Sequence, residues 1–416
     1  MLFVRKKMEN LSTVYEAIIK PLIPLLKKEA EQLKKDDYKL SITTFTLNLC
    51  YCVIAGIKSL RLLSTEAKTS DTAQKHGVVI ASSSQYSEAF QRYDPAIFKR
   101  LFFKLLNQLS FKSIPELNTL GRFVLVDGSL FPAIKTMDWA KYKSTSNALK
   151  LHLAFGLNRM IPVQFICTEG NGSEKKMLRD ILEEGVTYIA DRGYVAFDLF
   201  KQIVDQSAFF IIRVNSNMQV ITQKSVITDL PTQWKYHLDN ITDHHIIFKG
   251  DSHAISYRLI TFEALGECYR IATNRFDLKT HEIIMLYAYR WQIELFFRCI
   301  KRCFNSLHLW SHEAKGIEIQ FYLYMIVYLL IINFKQVLQD KADDKMIVED
   351  KQQEKASYIN RLNKNGITRT PACGIVTLLG NELKKVWKIS IHWLVALKNM
   401  LSKPLSIQVI KILNSY

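Results

Sequence analysis

The chain has 416 residues, too many for one simple hydrophobic core, so two or three domains are expected. Its composition, 48% hydrophobic with only 15 Gly and 9 Pro, is that of a folded globular protein and argues against a disordered chain. Lys and Arg outnumber Asp and Glu by 56 to 39, and this net charge of +17 indicates a polyanionic partner such as nucleic acid. The alternative is a basic protein without such a partner.

Cysteine spacing and hydropathy restrict the class of protein further. The seven cysteines form no CxxC pair and no Cys/His spacing typical of zinc, which predicts free thiols in a reducing cytoplasm. The first residues have no apolar run of the secretory type. The most apolar stretch, residues 321–334, is shorter than the roughly 20 residues needed to span a bilayer, so it predicts a core helix rather than a membrane segment.

Residues 1–118 have the apolar spacing of helices. Candidate helices cover residues 11–33 and 41–63, followed by two short helices, the second of which begins near Pro95. Scattered Lys and Arg make this region a candidate for DNA binding. An amphipathic helical bundle with solvated lysines explains the same residues equally well.

Residues 119–214 change to a pattern of strands and helices. A buried-type strand over 123–128 is followed by a hairpin with its turn at 158–160, a helix capped by Ser173, a strand ending at Asp191, a helix from about 195 and a strand over 208–214. This order predicts an α/β domain with a mixed sheet.

The remaining chain divides into three parts. Residues 215–262 alternate apolar and polar side chains and predict a β-strand insertion. Residues 263–338 return to a core strand and then to a helix capped by Asp277 or Thr280, with the apolar helix beyond it. Residues 339–416 predict a charged, helical C-terminal region.

Two aspartates follow predicted core strands, Asp127 in the segment VDG and Asp191 in ADRGY. Gly128 and Gly193 come soon after them, which lets backbone or ligand approach closely. Either aspartate alone is explained by a turn or a cap. An aspartate at a strand end is also a frequent ligand or metal position, because the strand fixes it and the loop leaves it open.

A four-residue motif, Y-x2-R-x3-E-x6-K, comprises Tyr287, Arg290, Glu294 and Lys301. On a continuous helix these residues lie within a sector of about 60°. One carboxylate and two cations on an otherwise apolar helix need a polar partner, and a metal ion with bound phosphate would supply one. The alternative is a solvated helix face with ordinary i,i+4 ion pairs.

Asp127, Asp191 and Glu294 together form a set that suits two Mg²⁺ ions. Mg²⁺ binds a few carboxylates and keeps the rest of its shell for water and phosphate oxygens. Two such ions activate the attacking oxygen and stabilise the leaving oxygen in an in-line displacement at phosphorus, with no need for a histidine base. Mn²⁺ is expected to be able to substitute.

These segments resemble the DDE transposases of bacterial insertion sequences, in particular the group with the YREK signature, insertion-sequence family four. The resemblance covers roughly residues 119–335, and it is most specific at the four-residue motif, which matches at every spacing. The VDG, ADRGY and RWQIE segments are also similar. The resemblance implies an RNase H-like catalytic core, a mixed sheet flanked by helices, with the β-strand insertion and with helical N- and C-terminal regions.

The resemblance also implies the roles of the candidate residues. The two aspartates and Glu294 would be the metal-binding catalytic triad, and Tyr287, Arg290 and Lys301 would contact DNA phosphates. The reaction would be cut-and-paste transposition: water cuts a strand at the terminal inverted repeat, and the freed 3′-hydroxyl attacks the other strand or target DNA. Double-stranded DNA would be the partner and a homodimer the synaptic assembly, in the bacterial cytoplasm at the nucleoid.

Three further residues are candidates for DNA contact. The insertion of this family can contribute a tryptophan that stacks on a flipped base, and Trp234 is the only tryptophan in the insertion here. A packed aromatic is an equal explanation. Arg298 and Arg302 extend positive charge beside Glu294 and could contact the DNA backbone or be solvated helix residues. Trp291 is predicted to lie in the core.

Two other functions use the same residues. The first is a catalytically silent, transposase-derived DNA-binding protein, which the basic charge fits equally and the intact carboxylates oppose. The second is a metal-dependent nuclease on the same fold, which cleaves DNA without joining it.

Overall fold

The computed structural model describes residues 14–134, 137–144, 146–228, 238–264, 267–303 and 308–361. By their contacts, the described residues up to Lys112 and those from Cys303 onward form one unit, and Ser113–Arg302 form a second. The described residues among 303–338, which the sequence grouped with the core, therefore cluster with the N-terminal helices. The other predicted domain boundaries remain predictions.

Helices make up the first unit. Residues 14–19 are helical, and the helices that follow are α1 (Ile23–Glu31), α2 (Ile42–Ile54), α3 (Leu60–Thr69), α4 (Asp71–Lys75), α5 (Ser83–Arg92) and α6 (Pro95–Gln108). Asp94 accepts a hydrogen bond from the Ala96 N–H and Pro95 occupies the first turn, so α6 begins where the sequence predicted.

Two predicted helices are each divided in the structure. The candidate over 11–33 is interrupted at residues 20–22, where Pro21 cannot donate to a helical ladder. The candidate over 41–63 ends at Ile54, because Gly56 adopts φ +68°. The Ile57 N–H then donates to the Cys52 carbonyl, which closes a Schellman cap.

Two basic side chains of the N-terminal region form ion pairs within this unit. Arg100 and Lys104 both pair with the buried carboxylate of Glu29, each at 2.7 Å. Burying Glu29 requires such compensation, so these two cations have a structural role whatever else the region binds.

The second unit contains a large sheet. After α7 (Pro115–Asn118) come β1 (Arg122–Ala133), β2 (Lys141–Lys143), β3 (Ser146–Gly156), β4 (Ile161–Glu169), α8 (Glu174–Asp180), β5 (Val186–Ala190), α9 (Phe197–Asp205), β6 (Phe209–Arg213), β7 (Val220–Ser225), β8 (Asp239–Phe248), β9 (Tyr257–Ala264) and β10 (Glu267–Thr273). The strand order is β2-β3-β1-β5-β6-β10-β9-β8-β7, with β4 on β3.

The pairing is mixed. β1 is antiparallel to β3 and parallel to β5, and β5 is parallel to β6. All five residues of β5 are buried, as expected for a central strand between parallel neighbours. Helices α8 and α9 contribute Leu178, Leu199 and Phe200 to the core against this sheet. This architecture confirms the predicted α/β fold class with its mixed sheet flanked by helices.

The predicted β-strand insertion is present as β7, β8 and β9. Its strands do not form a separate sheet, because β9 pairs with the core strand β10, and β8 and β7 continue outward from β9. The insertion therefore extends the main sheet itself.

After β10 the chain forms α10 (Thr280–Ala288), α11 (Trp291–Cys303) and, in the helical unit, α12 (Ala314–Arg361). Part of α12, Ala314–Leu338, is long and apolar enough to cross a membrane, but 83% of its apolar window is buried inside the protein. It packs against α2, α5 and α6. The prediction of a core helix at 321–334 is confirmed, although the helix is longer. Residues 362–416 lie outside the described part of the chain.

Candidate functional site

Asp127 and Asp191 lie next to each other where two adjacent parallel strands, β1 and β5, stop pairing. In the β1–β5 ladder Leu125 pairs with Ile189. Asp127 lies two residues after Leu125 within β1, and Asp191 lies two residues after Ile189, directly after the end of β5. The sequence predicted that Asp127 lies at the end of a strand, and the structure contradicts this. β1 continues past Asp127 to Ala133 and stays paired with β3, although its pairing with β5 has ended. Strand order thus brings together two carboxylates that are far apart in the sequence.

The two aspartates have different surroundings. Asp127 accepts a hydrogen bond from the Gly128 N–H at 2.8 Å. Burial raises the pKa of Asp127 to about 7, and the carboxylates of Asp191 and Glu174 add to this against the opposing effect of Arg290. Asp191 is partly exposed and accepts from the Gly193 N–H at 2.8 Å, so it also caps the turn that follows it.

Arg290 connects the glutamate of the motif to the first aspartate. Its Nη2 lies 2.6 Å from Glu294 Oε1, and its Nη1 lies 3.8 Å from Asp127 Oδ2. Burial lowers the pKa of Lys301, and the Asp127 carboxylate partly offsets this. The Lys301 Nζ lies 4.8 Å from the centre of the Phe131 ring on β1. Glu294 and both motif cations are therefore close to Asp127.

The sequence predicted that the motif lies on one continuous helix, and the structure contradicts this. Tyr287 belongs to α10, Arg290 lies in the connecting turn, and Glu294 and Lys301 belong to α11. The N–H groups of Arg290 and Ile293 donate to carbonyls three residues back, which interrupts the α-helical ladder. Neither predicted cap starts α10; instead Glu282 accepts from the Lys279 N–H at 2.8 Å.

The burial of the motif side chains contradicts the alternative interpretation of a solvated helix face. The side chains of Arg290 and Glu294 are 11% and 32% exposed, and Tyr287 is buried. The Arg290–Glu294 pair is thus held in a largely desolvated place, where its charges interact more strongly than on an open surface.

Of the three other predicted DNA contacts, only Arg298 has a described side chain. Arg298 is exposed, and its guanidinium lies 5.3 Å from the Trp291 ring. Trp291 is only partly buried, so the prediction that it is a core residue was wrong. Trp234 and the side chain of Arg302 lie outside the described part of the structure.

Three functional candidates were missed at the sequence level. Lys150 on β3 pairs with Glu174, the first residue of α8, at 2.6 Å. Tyr194, in the turn after Asp191, is fully buried. Tyr194 was present in the ADRGY segment and could have been singled out. Glu174 has no sequence spacing that relates it to the aspartates, so only the fold could reveal it.

The donor set fits a hard divalent cation. Within the described residues, no three His, Cys, Asp or Glu side chains stand at the mutual spacing of a formed metal site. The three predicted ligands nevertheless offer only carboxylate oxygens, which Mg²⁺ and Mn²⁺ prefer. Asp127 is mostly buried and lies near the carboxylates of Asp191 and Glu174, so a divalent cation there would offset their negative charge. Arg290 holds Glu294 Oε1, so engaging that oxygen with a cation would require this ion pair to open.

A mixed sheet with two aspartates on adjacent parallel strands and a glutamate on a later helix defines the RNase H-like class of nucleic-acid-processing enzymes. The chain belongs to the transposase DDE domain family, whose model matches residues 118–330, just over half of the chain. The resemblance that the motifs carried is confirmed, and the chain is a DNA transposase of the DDE type.

Curated relatives agree with this family. A protein of Sinorhizobium fredii named as a transposase is 29% identical over 250 residues, which cover 59% of this chain and 69% of the relative. A transposase named for insertion sequence element IS5377 of Geobacillus stearothermophilus is 23% identical over 71% of this chain and 78% of its own. One named for element IS4SA of Synechocystis is 21% identical over 68% and 81%.

Proposed function

We propose that this enzyme moves an insertion sequence by cut-and-paste transposition, with Asp127, Asp191 and Glu294 holding two Mg²⁺ ions at the DNA strand. The proposal is supported chiefly by the place where β1 and β5 stop pairing. The two aspartates lie next to each other there, and Arg290 lies between Asp127 and Glu294. The ions, when bound, supply Lewis-acid activation of the attacking and leaving oxygens at phosphorus.

The motif cations are proposed to bind the phosphate of the element end. Arg290 presents a planar set of donors that matches phosphate geometry, and it becomes available once Glu294 turns toward the divalent ions. Lys301 adds a second positive charge beside Asp127. Tyr287, on α10, is proposed to contact the same phosphate. Arg298, which is exposed, and Arg302 are proposed to contact the backbone further along the duplex.

The proposed partners are the terminal inverted repeats and target DNA, bound by a homodimer in the synaptic complex. The net charge of +17 supports an extended polyanionic partner, and the family supports DNA as its identity. The helical region over 1–118 is proposed to add DNA contacts, and Trp234 to stack on a flipped base.

Cleavage of a labelled duplex that carries the element's own terminal repeat tests the proposal. With Mg²⁺ or Mn²⁺, the wild type should cut at the repeat boundary and join the freed 3′ end to target DNA. Glu294→Gln should reduce cutting by at least about 10²-fold, because it removes a charge that acts at the reacting phosphate. Glu183→Gln is the matched control, since Glu183 forms an exposed ion pair with Arg122.

Two results would contradict the proposal in different ways. Specific binding of the repeat without cutting, by wild type and variant alike, would support the silent DNA-binding alternative. Cutting that depends on Glu294 but never leads to joining would support the nuclease alternative.

A further inference from the structure

The Lys150–Glu174 ion pair lies close to Gly128, and Glu174 also lies close to Gly193, the glycines that follow the two aspartates. Lys150 Nζ and Glu174 Oε1 are 2.6 Å apart, and both side chains are mostly buried. Glu174 starts α8, which Ser173 caps by accepting from the Lys176 N–H. Both Glu174 and Asp191 act on Asp127 electrostatically. A fourth carboxylate therefore belongs to the same cluster of charges.

The glycines that follow the aspartates show how close Glu174 lies. A Cβ at Gly128 would be 2.7 Å from Glu174 Oε1 and 2.9 Å from Lys150 Cε. A Cβ at Gly193 would be 3.3 Å from Glu174 Oε2. The two oxygens of one carboxylate thus approach the backbone beside Asp127 and the backbone beside Asp191. Any larger residue at Gly128 would displace the ion pair.

Tyr194 provides an independent observation that points to a ligand. Its side chain is fully buried, and among the described residues its hydroxyl has no hydrogen-bond partner. The charged groups that act on this hydroxyl are Glu174, Asp127, Asp191 and Arg290. Buried hydroxyls are nearly always hydrogen-bonded, so one that lies within a cluster of carboxylates implies a missing oxygen partner.

We propose that Glu174 is a fourth carboxylate of the divalent-cation site, and that Tyr194 donates its hydroxyl to an oxygen ligand of that cation. The inference rests on the proposed metal-dependent function. Lys150 holds Glu174 in place when no cation is bound. A divalent cation then competes with the Lys150 ammonium for the same carboxylate, as two cations must at one anionic group.

Mn²⁺ binding to the full chain without DNA tests this inference, with free Mn²⁺ measured by electron paramagnetic resonance. Glu174→Gln should weaken Mn²⁺ binding by about 10- to 100-fold, a loss typical of groups that position a metal. Glu183→Gln should bind like the wild type, because its ion pair with Arg122 is exposed. Asp127→Asn is the positive control for loss of binding.

Two further variants separate cation binding from a purely structural role. Lys150→Met removes the competing cation, so Mn²⁺ should bind at least as tightly as in the wild type. Tyr194→Phe should leave the melting temperature of the cation-free protein unchanged, since the hydroxyl has no partner there, and should reduce the rise in melting temperature that Mn²⁺ produces.

Each contrary result has a distinct meaning. If Asp127→Asn abolishes Mn²⁺ binding while Glu174→Gln leaves it unchanged, the inference is wrong and the proposed function stands. If Lys150→Met weakens binding as much as Glu174→Gln, the pair only supports the fold, and the inference is again wrong. If the wild type neither binds Mn²⁺ nor cuts DNA, both proposals are wrong.

Discussion

Replacing Asp243 with Ala should destabilise the sheet by about 3–5 kcal/mol, the cost of breaking a buried ion pair from one side. Asp243 on β8 is 1% exposed and Arg258 on β9 is 3% exposed. Arg258 Nη2 donates to Asp243 Oδ2 at 2.6 Å, and its Nε donates to Oδ1 at 2.9 Å. Thr280 donates its hydroxyl to the same Oδ2 at 2.7 Å. The substitution would leave a buried guanidinium without its carboxylate.

The same contacts connect the β-strand insertion to the segment before α10. Arg258 Nη1 donates to the backbone carbonyls of Arg275 and Leu278, in the segment that leads into α10. Asp243 and Arg258 therefore fix the start of the helix that carries Tyr287. We expect Asp243→Ala to reduce DNA cleavage as well as stability, because small displacements of positioning groups are costly to catalysis.

Native-state hydrogen exchange of the β8 and β9 amides is the appropriate assay, because a chain with two units need not unfold in one step. Asp205→Ala is the control, since its i,i+4 pair with Lys201 is exposed and should contribute only about 0.3–0.5 kcal/mol. The double variant Asp243→Ala with Arg258→Met should recover part of the loss, because no buried charge remains. A loss below about 1 kcal/mol for Asp243→Ala alone would refute the reasoning.

Three other predictions each follow from the local surroundings of particular residues. Gly128→Ala should lower stability by no more than about 1 kcal/mol, measured by thermal unfolding, because the new Cβ overlaps the flexible ends of Glu174 and Lys150, which can shift. Burial lowers the pKa of His152 to about 4, below its unfolded value of about 6.5. The native state therefore binds fewer protons in this window, and up to about 3 kcal/mol of stability is lost as pH falls from 6.5 to 4. His152→Gln should flatten that acid limb in urea unfolding. Iodoacetamide should modify exposed Cys268 in the native protein and spare Cys50, whose pKa burial raises to about 12; mass mapping checks this.

Local patterns were sufficient to predict most of the elements. The strands β1, β5, β6 and β10 were found because buried strands are short apolar runs, and α6 because Pro95 marks its start. Asp127, Asp191 and the four-residue motif could be singled out because they are distinctive in type and spacing, whereas Lys150 and Glu174 could not. Helix ends were less predictable, since a glycine in the left-handed conformation ended α2 early.

The sequence by itself determined the family, the fold class and which carboxylates and cations are available for chemistry. These properties depend on residue type and on short-range periodicity, which the chain carries locally. Only the tertiary structure decided that β7–β9 extend the main sheet, that the motif is divided between α10 and α11, and that Glu174 lies close to the glycines that follow both aspartates. Periodicity indicates which face of an element is buried, but not which element packs against it. Strand order and register bring distant residues together, and neither is encoded in the spacing of any one segment.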